Sequence, residues 1–402
     1  MPLNQFKSGL EIMILWLAIT SVAYGLLMLL DPLIYTFIAY NLSISSIYLG
    51  ICSALWSIFY ISSMLFLGYL ADEGRTRMLM VISLTFITLS WLSMTNLNLI
   101  TAFISYSLHA ISIAAANLAL NTMVFENVDS QNWGKVLLLM RAIGYMVRGI
   151  SFIFLASMNI LGVSLIQQVA ILTLLISTIV VPSFSLISER SIYRLYKLVR
   201  ELSLYIKAST SILYIDRPNI AQEVFSKIWY GHSNSKIGET RILAAITIIT
   251  YVNDYILALL PLMIKNTINL KILWTAYGIT SIASIAVVFM LKNIESYSKG
   301  LVLFLVLARS IVLLAGINII KDVYTLTLYL ISTSALYLAI DVMLYNMYVS
   351  STSGYRSSLY HTLRELGSIV GSIVGGIVLT MGTNMYIGLA IVLTITCIFL
   401  LA

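Results

Sequence analysis

Twelve stretches of almost uninterrupted apolar sequence, most of them about 20 residues or longer, leave this chain one environment in which to fold. Lipid supplies no hydrogen-bond partners, so each stretch must satisfy its own backbone, as a helix does. The runs are too long and too continuously apolar for barrel strands, which alternate every second residue. With about 20 residues needed per crossing, helices are expected at 10–37, 45–71, 77–96, 99–125, 135–158, 162–184, 241–264, 272–292, 300–318, 323–349, 356–381 and 384–402. Several exceed the minimum, which predicts tilt or extension past the headgroups. The chain is 60% hydrophobic and 10% charged over 402 residues, with a mean hydropathy of +0.98. Such a composition belongs to an all-α membrane protein, not to a soluble domain carrying one anchor. The first run lacks a small-residue cleavage site and reads as a retained helix rather than a signal peptide.

Lysine and arginine set the orientation. With the N-terminus inside, Lys7, Arg75, Arg77, Lys135, Lys292, Lys299 and Arg356 fall on one side, and only Lys265, Lys271 and Lys321 on the other. The positive-inside rule therefore places both termini in the cytoplasm of a cell-membrane protein. The net charge of +7 follows the same bias and gives no reason to expect a nucleic-acid partner. The longest polar segment, 185–240, divides the chain into an N-terminal bundle over 1–184, a cytoplasmic linker, and a C-terminal bundle over 241–402. Within the linker Ile192, Leu195, Val199, Leu202 and Ile206 recur at helical spacing between charged residues. This suggests an amphipathic helix on the headgroups, serving as a partner's docking site or as a hinge. Cys52 and Cys397 sit in apolar runs, which argues against a disulfide framework. His109, His232 and His361 have no metal-ligand spacing, and no cofactor motif appears.

Between the second and third runs stands Gly-Tyr-Leu-Ala-Asp-Glu-Gly-Arg-Thr-Arg, residues 68–77. Its charges need water or tight pairing, and its glycines backbone freedom or close contact. The segment resembles the signature of the major facilitator superfamily, Gly-x-Leu-Ala-Asp-x-x-Gly-Arg-x-Arg. Gly68, Leu70, Ala71, Asp72, Gly74 and Arg75 supply its residues, and the last basic one, Arg77, comes a place early. The resemblance implies two six-helix bundles and a latch. Asp72 would face the start of the eleventh helix near Gly354 to Arg356, where a helix N-terminus attracts negative charge. Arg75 and Arg77 would reach acids ending the fourth helix, Glu126 and Asp129.

The halves also repeat each other. Residues 123–134 lie opposite 343–354, Arg141-Ala-Ile-Gly144 matches Arg364-Glu-Leu-Gly367, and Asn41-Leu42 precedes Gly50 as Asn269-Leu270 precedes Gly278. Pro32-Leu33 likewise pairs with Pro261-Leu262. Parallel six-helix repeats enclosing a site near the midplane are the arrangement of the resembled superfamily. There are departures. The counterpart of 68–77 near 292–300 keeps little of the signature. The fourth run has no drug-exporter arginine, and Arg148 and Gly149 break the antiporter pattern of the fifth. The glycines Gly367, Gly371, Gly375 and Gly376 read as tight helix packing.

Ionisable and amide groups inside the runs are the candidate site. His109, Asn117 and Asn121 share one helical face, and the repeat offset carries them onto Tyr329, Tyr337 and Asp341. That face either lines a central aqueous cavity, which the resemblance assigns to helices 1, 4, 7 and 10, or serves interhelical hydrogen bonding. Asn253 and Asp254 lie mid-span, and Asp254 is the best candidate for a proton- or cation-linked carboxylate. Its alternative is a carboxylate bonded by helix 1 or 11. Asp341 is either a transport residue or the ion-pair partner of Arg309, which shares its depth. Asp31 is expected to be solvated near the outer interface, and an anion-binding use is open for Arg141, Arg148, Arg364, Glu365 and His361. No nucleophile–base set or phosphate loop points to an enzyme. The expectation is a monomeric secondary transporter of a small organic solute, with a proton or cation as candidate coupling ion. A non-transporting receptor or assembly factor on the same scaffold is the alternative.

Overall fold

The computed structural model describes residues 3–128, 133–157, 162–181, 238–291, 299–352 and 357–382, with a few single positions between 387 and 395. The expected linker helix and the last expected span, 384–402, fall outside these residues, a few positions of the span apart. In chain order the helices are α1 (Leu3–Asn41), α2 (Ser46–Asp72), α3 (Thr76–Met94), α4 (Leu99–Asn127), α5 (Trp133–Ser157) and α6 (Gly162–Val180). After the linker come α7 (Glu239–Leu257), the short α8 (Leu260–Ile264), α9 (Leu270–Leu291), α10 (Lys299–Ile319), α11 (Val323–Thr352) and α12 (Ser357–Met381). Among the described residues, ten helical stretches are long and apolar enough to cross a membrane.

Local chemistry explains the boundaries. Ser45 caps α2 by accepting from the Tyr48 N–H, and Asn98 closes a capping box with Thr101 at the start of α4. The span expected over 241–264 is instead two pieces, because Pro261 lacks an N–H and its ring crowds the preceding turn. Leu262 N–H then bonds the Leu259 carbonyl, which leaves the Ala258 carbonyl free for another partner. The Tyr35 hydroxyl of α1 fills that place at 2.6 Å. Pro32, the repeat partner in sequence, is carried inside an unbroken α1.

Small residues set the closest packing. Ser83 with Ser112 and Ser90 with Ser105 exchange hydroxyl-to-carbonyl bonds of 2.8 to 3.0 Å, two turns apart along α3 and α4. Along α12, a Cβ added at Gly367, Gly371 or Gly375 would meet the Thr247, Tyr251 or Tyr255 carbonyl of α7 at 2.3 to 2.7 Å. A neighbouring stripe of α12 packs on α2. Ser46 donates to the Gly376 carbonyl at 2.8 Å, and Gly50 abuts the Ser372 carbonyl. The second link between the first six helices and the rest is α5 on α9, where Gly149 meets Gly278. Gly149 stands eight residues after Arg141 and Ser372 eight after Arg364, so both crossings use the same repeat positions.

One end of the bundle is closed by hydrogen bonds across this divide. Besides Tyr35 to Ala258, Tyr40 donates to the Ile268 carbonyl at 2.8 Å and the Trp274 indole to Thr36 Oγ1 at 3.0 Å. Gly371→Ala would place a methyl against the Tyr251 backbone, and overpacking of this kind costs about 1–3 kcal/mol. Thermal unfolding of the purified protein should show a lower Tm for Gly371→Ala and an unchanged Tm for Gly68→Ala, where the added carbon meets open space. Equal Tm values for the two variants would contradict the packing account.

Candidate functional site

The α2–α12 contact runs antiparallel from Ser46 and Gly376, through Gly50 and Ser372, to a 3.2 Å hydroxyl pair between Ser57 and Ser368. About one turn further on stand Tyr60 and Glu365, whose charge acts on the tyrosine. Arg364 forks between two carboxylates, with Nη2 2.9 Å from Glu365 Oε1 and Nη1 3.4 Å from Asp341 Oδ2. Tyr360 adds its hydroxyl to Asp341 Oδ1 at 3.0 Å. The Arg364 and Asp341 side chains remain 26% and 20% exposed, so this charge cluster borders a space instead of filling a closed core.

Asp254 lies beside the same stripe. Asn253 donates to its Oδ1 at 2.5 Å, and Ser368 of α12 stands close enough to act on the carboxylate. Arg309, 3% exposed, donates to Asn253 Oδ1 and lies 4.7 Å from the centroid of the Tyr337 ring. The Tyr337 hydroxyl is 3.2 Å from Thr250 Oγ1. Of the two readings of Asp341, the ion pair with Arg309 is not formed: the arginine donates to Asn253 and the aspartate pairs with Arg364. A shared depth along two helices does not fix the direction in which each side chain points.

The face of α4 divides. Asn121 donates to Asn117 Oδ1 at 3.2 Å, and Asn117 to the Tyr60 hydroxyl at 3.1 Å, a polar chain leading toward α2. His109 is fully buried among α1, α2 and α4. The Trp56 indole donates to its Nδ1 at 3.2 Å, so Nε2 carries the proton and donates to the Leu27 carbonyl at 2.8 Å. Tyr329 is likewise enclosed, its ring laid on Gly316 and its hydroxyl without a hydrogen-bond partner among the described residues. These two repeat-related residues, expected on a cavity wall, are packed inside their own halves. Asp31 also departs from expectation, since it is half-buried and accepts from the Tyr106 hydroxyl at 2.6 Å.

In the charged turn after α2, Gly74 has φ 71°, a conformation that glycine adopts without strain. Gly68 has neither a positive φ nor a contact that a side chain would displace, so the expected need for backbone freedom or close contact is met at Gly74 alone of the two. Arg75 pairs with its neighbour Glu73 at 2.7 Å, where a partner at the end of α4 was expected. The side chains of Asp72 and Glu126, and Gly354 and Arg356 altogether, lie outside the described residues. The residues that sequence reasoning underrated are Arg364, Glu365, Tyr60 and Arg141. Their signal was present in the matched Arg141 and Arg364 of the repeat.

No protein-family model and no curated protein matches the chain. Solved structures do. A D-xylose-proton symporter superposes with a TM-score of 0.66 at 12% identity, over 97% of each chain. A structure described as giving insight into substrate recognition in proton dependent oligopeptide transporters has a TM-score of 0.64 at 12% identity, again over 97% of each chain. The inward open conformation of the xylose transporter XylE from E. coli gives 0.61 at 11% identity, over 98% of this chain and 95% of that one. The likeness is one of fold, and the fold is that of the major facilitator transporters.

The enclosed histidine yields a stability test. His109→Phe would strand the Trp56 N–H and the Leu27 carbonyl, at about 1–3 kcal/mol for each unpaired group. The expected outcome is a clear fall in Tm at every pH assayed. A wild-type Tm would show that these bonds hold nothing together.

Proposed function

We propose that the chain is a twelve-helix secondary transporter that carries a small organic solute across a cell membrane by alternating access. The observation that carries this reading is a closed end joined to a charged space. Hydrogen bonds across the two halves shut the bundle at the α1–α2 and α8–α9 loops. The closure ends at Ser57 and Ser368, beyond which Tyr60, Arg364, Glu365 and Asp341 gather polar and partly exposed groups from both halves. With the termini cytoplasmic, as the lysine and arginine bias supports, the closed end is the outer one and the state is inward-facing.

On this reading, residues 1–184 and 241–402 rock about the two crossings, α2 on α12 and α5 on α9, while the 185–240 linker tethers them. The solute binds among Asn117, Asn121, Tyr60, Asp341 and Arg364. Asp254 is the coupling carboxylate. Ser368 stands beside it where the seal ends, so loading a proton on Asp254 would alter the contact that separates the two open states. Asp72, Arg75, Arg77 and Glu126 form the cytoplasmic latch with residues 354–356, favouring the outward-open state when closed.

Solute counterflow in reconstituted vesicles tests the whole reading, since a receptor or assembly factor would show none. Cysteines replacing Ser57 and Ser368, in a chain without Cys52 and Cys397, should cross-link on oxidation and stop counterflow until reduced. Undiminished counterflow by fully cross-linked protein would rule out alternating access at this seam. Asp254→Asn should abolish accumulation driven by a pH gradient and leave counterflow intact, whereas retained gradient-driven uptake removes Asp254 from the coupling role. Asp72→Asn should reduce transport several-fold with normal membrane insertion, and unchanged transport would dismiss the latch.

A further inference from the structure

Arg141 is an exposed arginine within a membrane-spanning helix. Along α5 the exposed apolar side chains include Leu139, Met146, Ile150 and Ile153, which mark the face turned to lipid. At about 100° per residue, Arg141 points roughly opposite to Leu139 and Ile150. Its exposure is therefore to a space among helices. It makes no hydrogen bond or ion pair among the described residues. Arg364 is its repeat counterpart, and each arginine stands eight residues, or about 12 Å of helix, to the same side of its crossing at Gly149 or Ser372. Both guanidinium groups act electrostatically on the Tyr24 and Tyr60 hydroxyls and on His361, so the three lie within reach of either charge.

The two arginines differ in what surrounds them. Arg364 already holds Glu365 and Asp341, two carboxylates against one guanidinium. Arg141 holds none. We propose that the space between α5 and α12 takes a small organic monocarboxylate, its carboxylate on Arg141 and its body toward Tyr24 and Tyr60. This rests on the transporter reading and names its substrate class. A carboxylate matches the guanidinium fork bidentately, and one negative charge suits one uncompensated cation. A dianion would face the acids around Arg364 with its second charge.

Calorimetric titration of the purified full chain tests this with acetate, lactate, benzoate and nicotinate, each against its neutral amide. At least one carboxylate should bind the wild type, with its amide at least about tenfold weaker, as loss of a charge-assisted bond entails. Arg141→Gln should lose at least about tenfold in carboxylate affinity at an unchanged Tm, and Arg141→Lys should retain part of it. The proposal is overturned if no carboxylate binds, if amides bind equally, or if Arg141→Gln binds as the wild type does. Counterflow separates the two levels. Neutral solutes exchanged without carboxylate binding would remove the anion site and leave the transporter. Carboxylate binding through Arg141 without counterflow of any solute would keep the site and remove the transporter.

Discussion

Close backbone approach along α12 is the interaction on which the remaining geometry depends. In lipid, helices gain nothing by hiding apolar surface from one another, so association must come from dispersion contacts and interhelical hydrogen bonds. Gly367, Gly371 and Gly375 bring α12 onto the α7 backbone, while Ser368, Ser372 and Gly376 bring its neighbouring stripe onto α2. One helix thereby touches both halves of the molecule. The charged residues Arg364 and Glu365 continue these two stripes one turn beyond the last contact, which explains why they emerge where the seal stops. Their position follows from the glycine spacing rather than from any contact of their own.

The crossing of α5 on α9 repeats this arrangement with other chemistry. Gly149 and Gly278 bring the backbones together as Ser372 and Gly50 do, yet Arg148 beside that crossing lies 5.9 Å from the Phe152 ring instead of forking between carboxylates. The closed end depends on a different device again. Pro261 interrupts the seventh span, and the Ala258 carbonyl released by the interruption accepts from Tyr35 of the other half. A helix defect inside hydrocarbon is tolerable only when another group satisfies the freed backbone. Here the satisfying group crosses the divide, so closure and helix repair are one interaction.

Span positions were legible because hydropathy reports directly on contact with lipid, and most expected ends fall within a few residues of the helix ends. The break at 258–259 was not, since Leu257 to Ile264 reads as unbroken apolar sequence and Pro261 alone gives the warning. Helical spacing correctly grouped His109, Asn117 and Asn121 on a face of α4. It could not tell that Trp56 and the Leu27 carbonyl would enclose the first, while the other two lead to Tyr60. Glycine was read well where several recur at four-residue spacing, as on α12, and poorly at Gly68, which meets open space. A single glycine carries no statement of its surroundings; a ladder of them does.

Exposure along these helices separates two solvents that one accessibility measure merges. Leu139, Ile150 and Ile153 on α5, and Leu366, Val370 and Ile377 on α12, are exposed and apolar, as lipid requires. Arg141 and Arg364 point away from those rows. A mostly buried guanidinium calls for matching acids, because an unpaired buried charge is costly, and Arg364, beside α11, has two. Arg141 has none among the described residues and keeps its exposure. The two repeat-related arginines therefore both keep some exposure on the face away from lipid, with unequal compensation by acids.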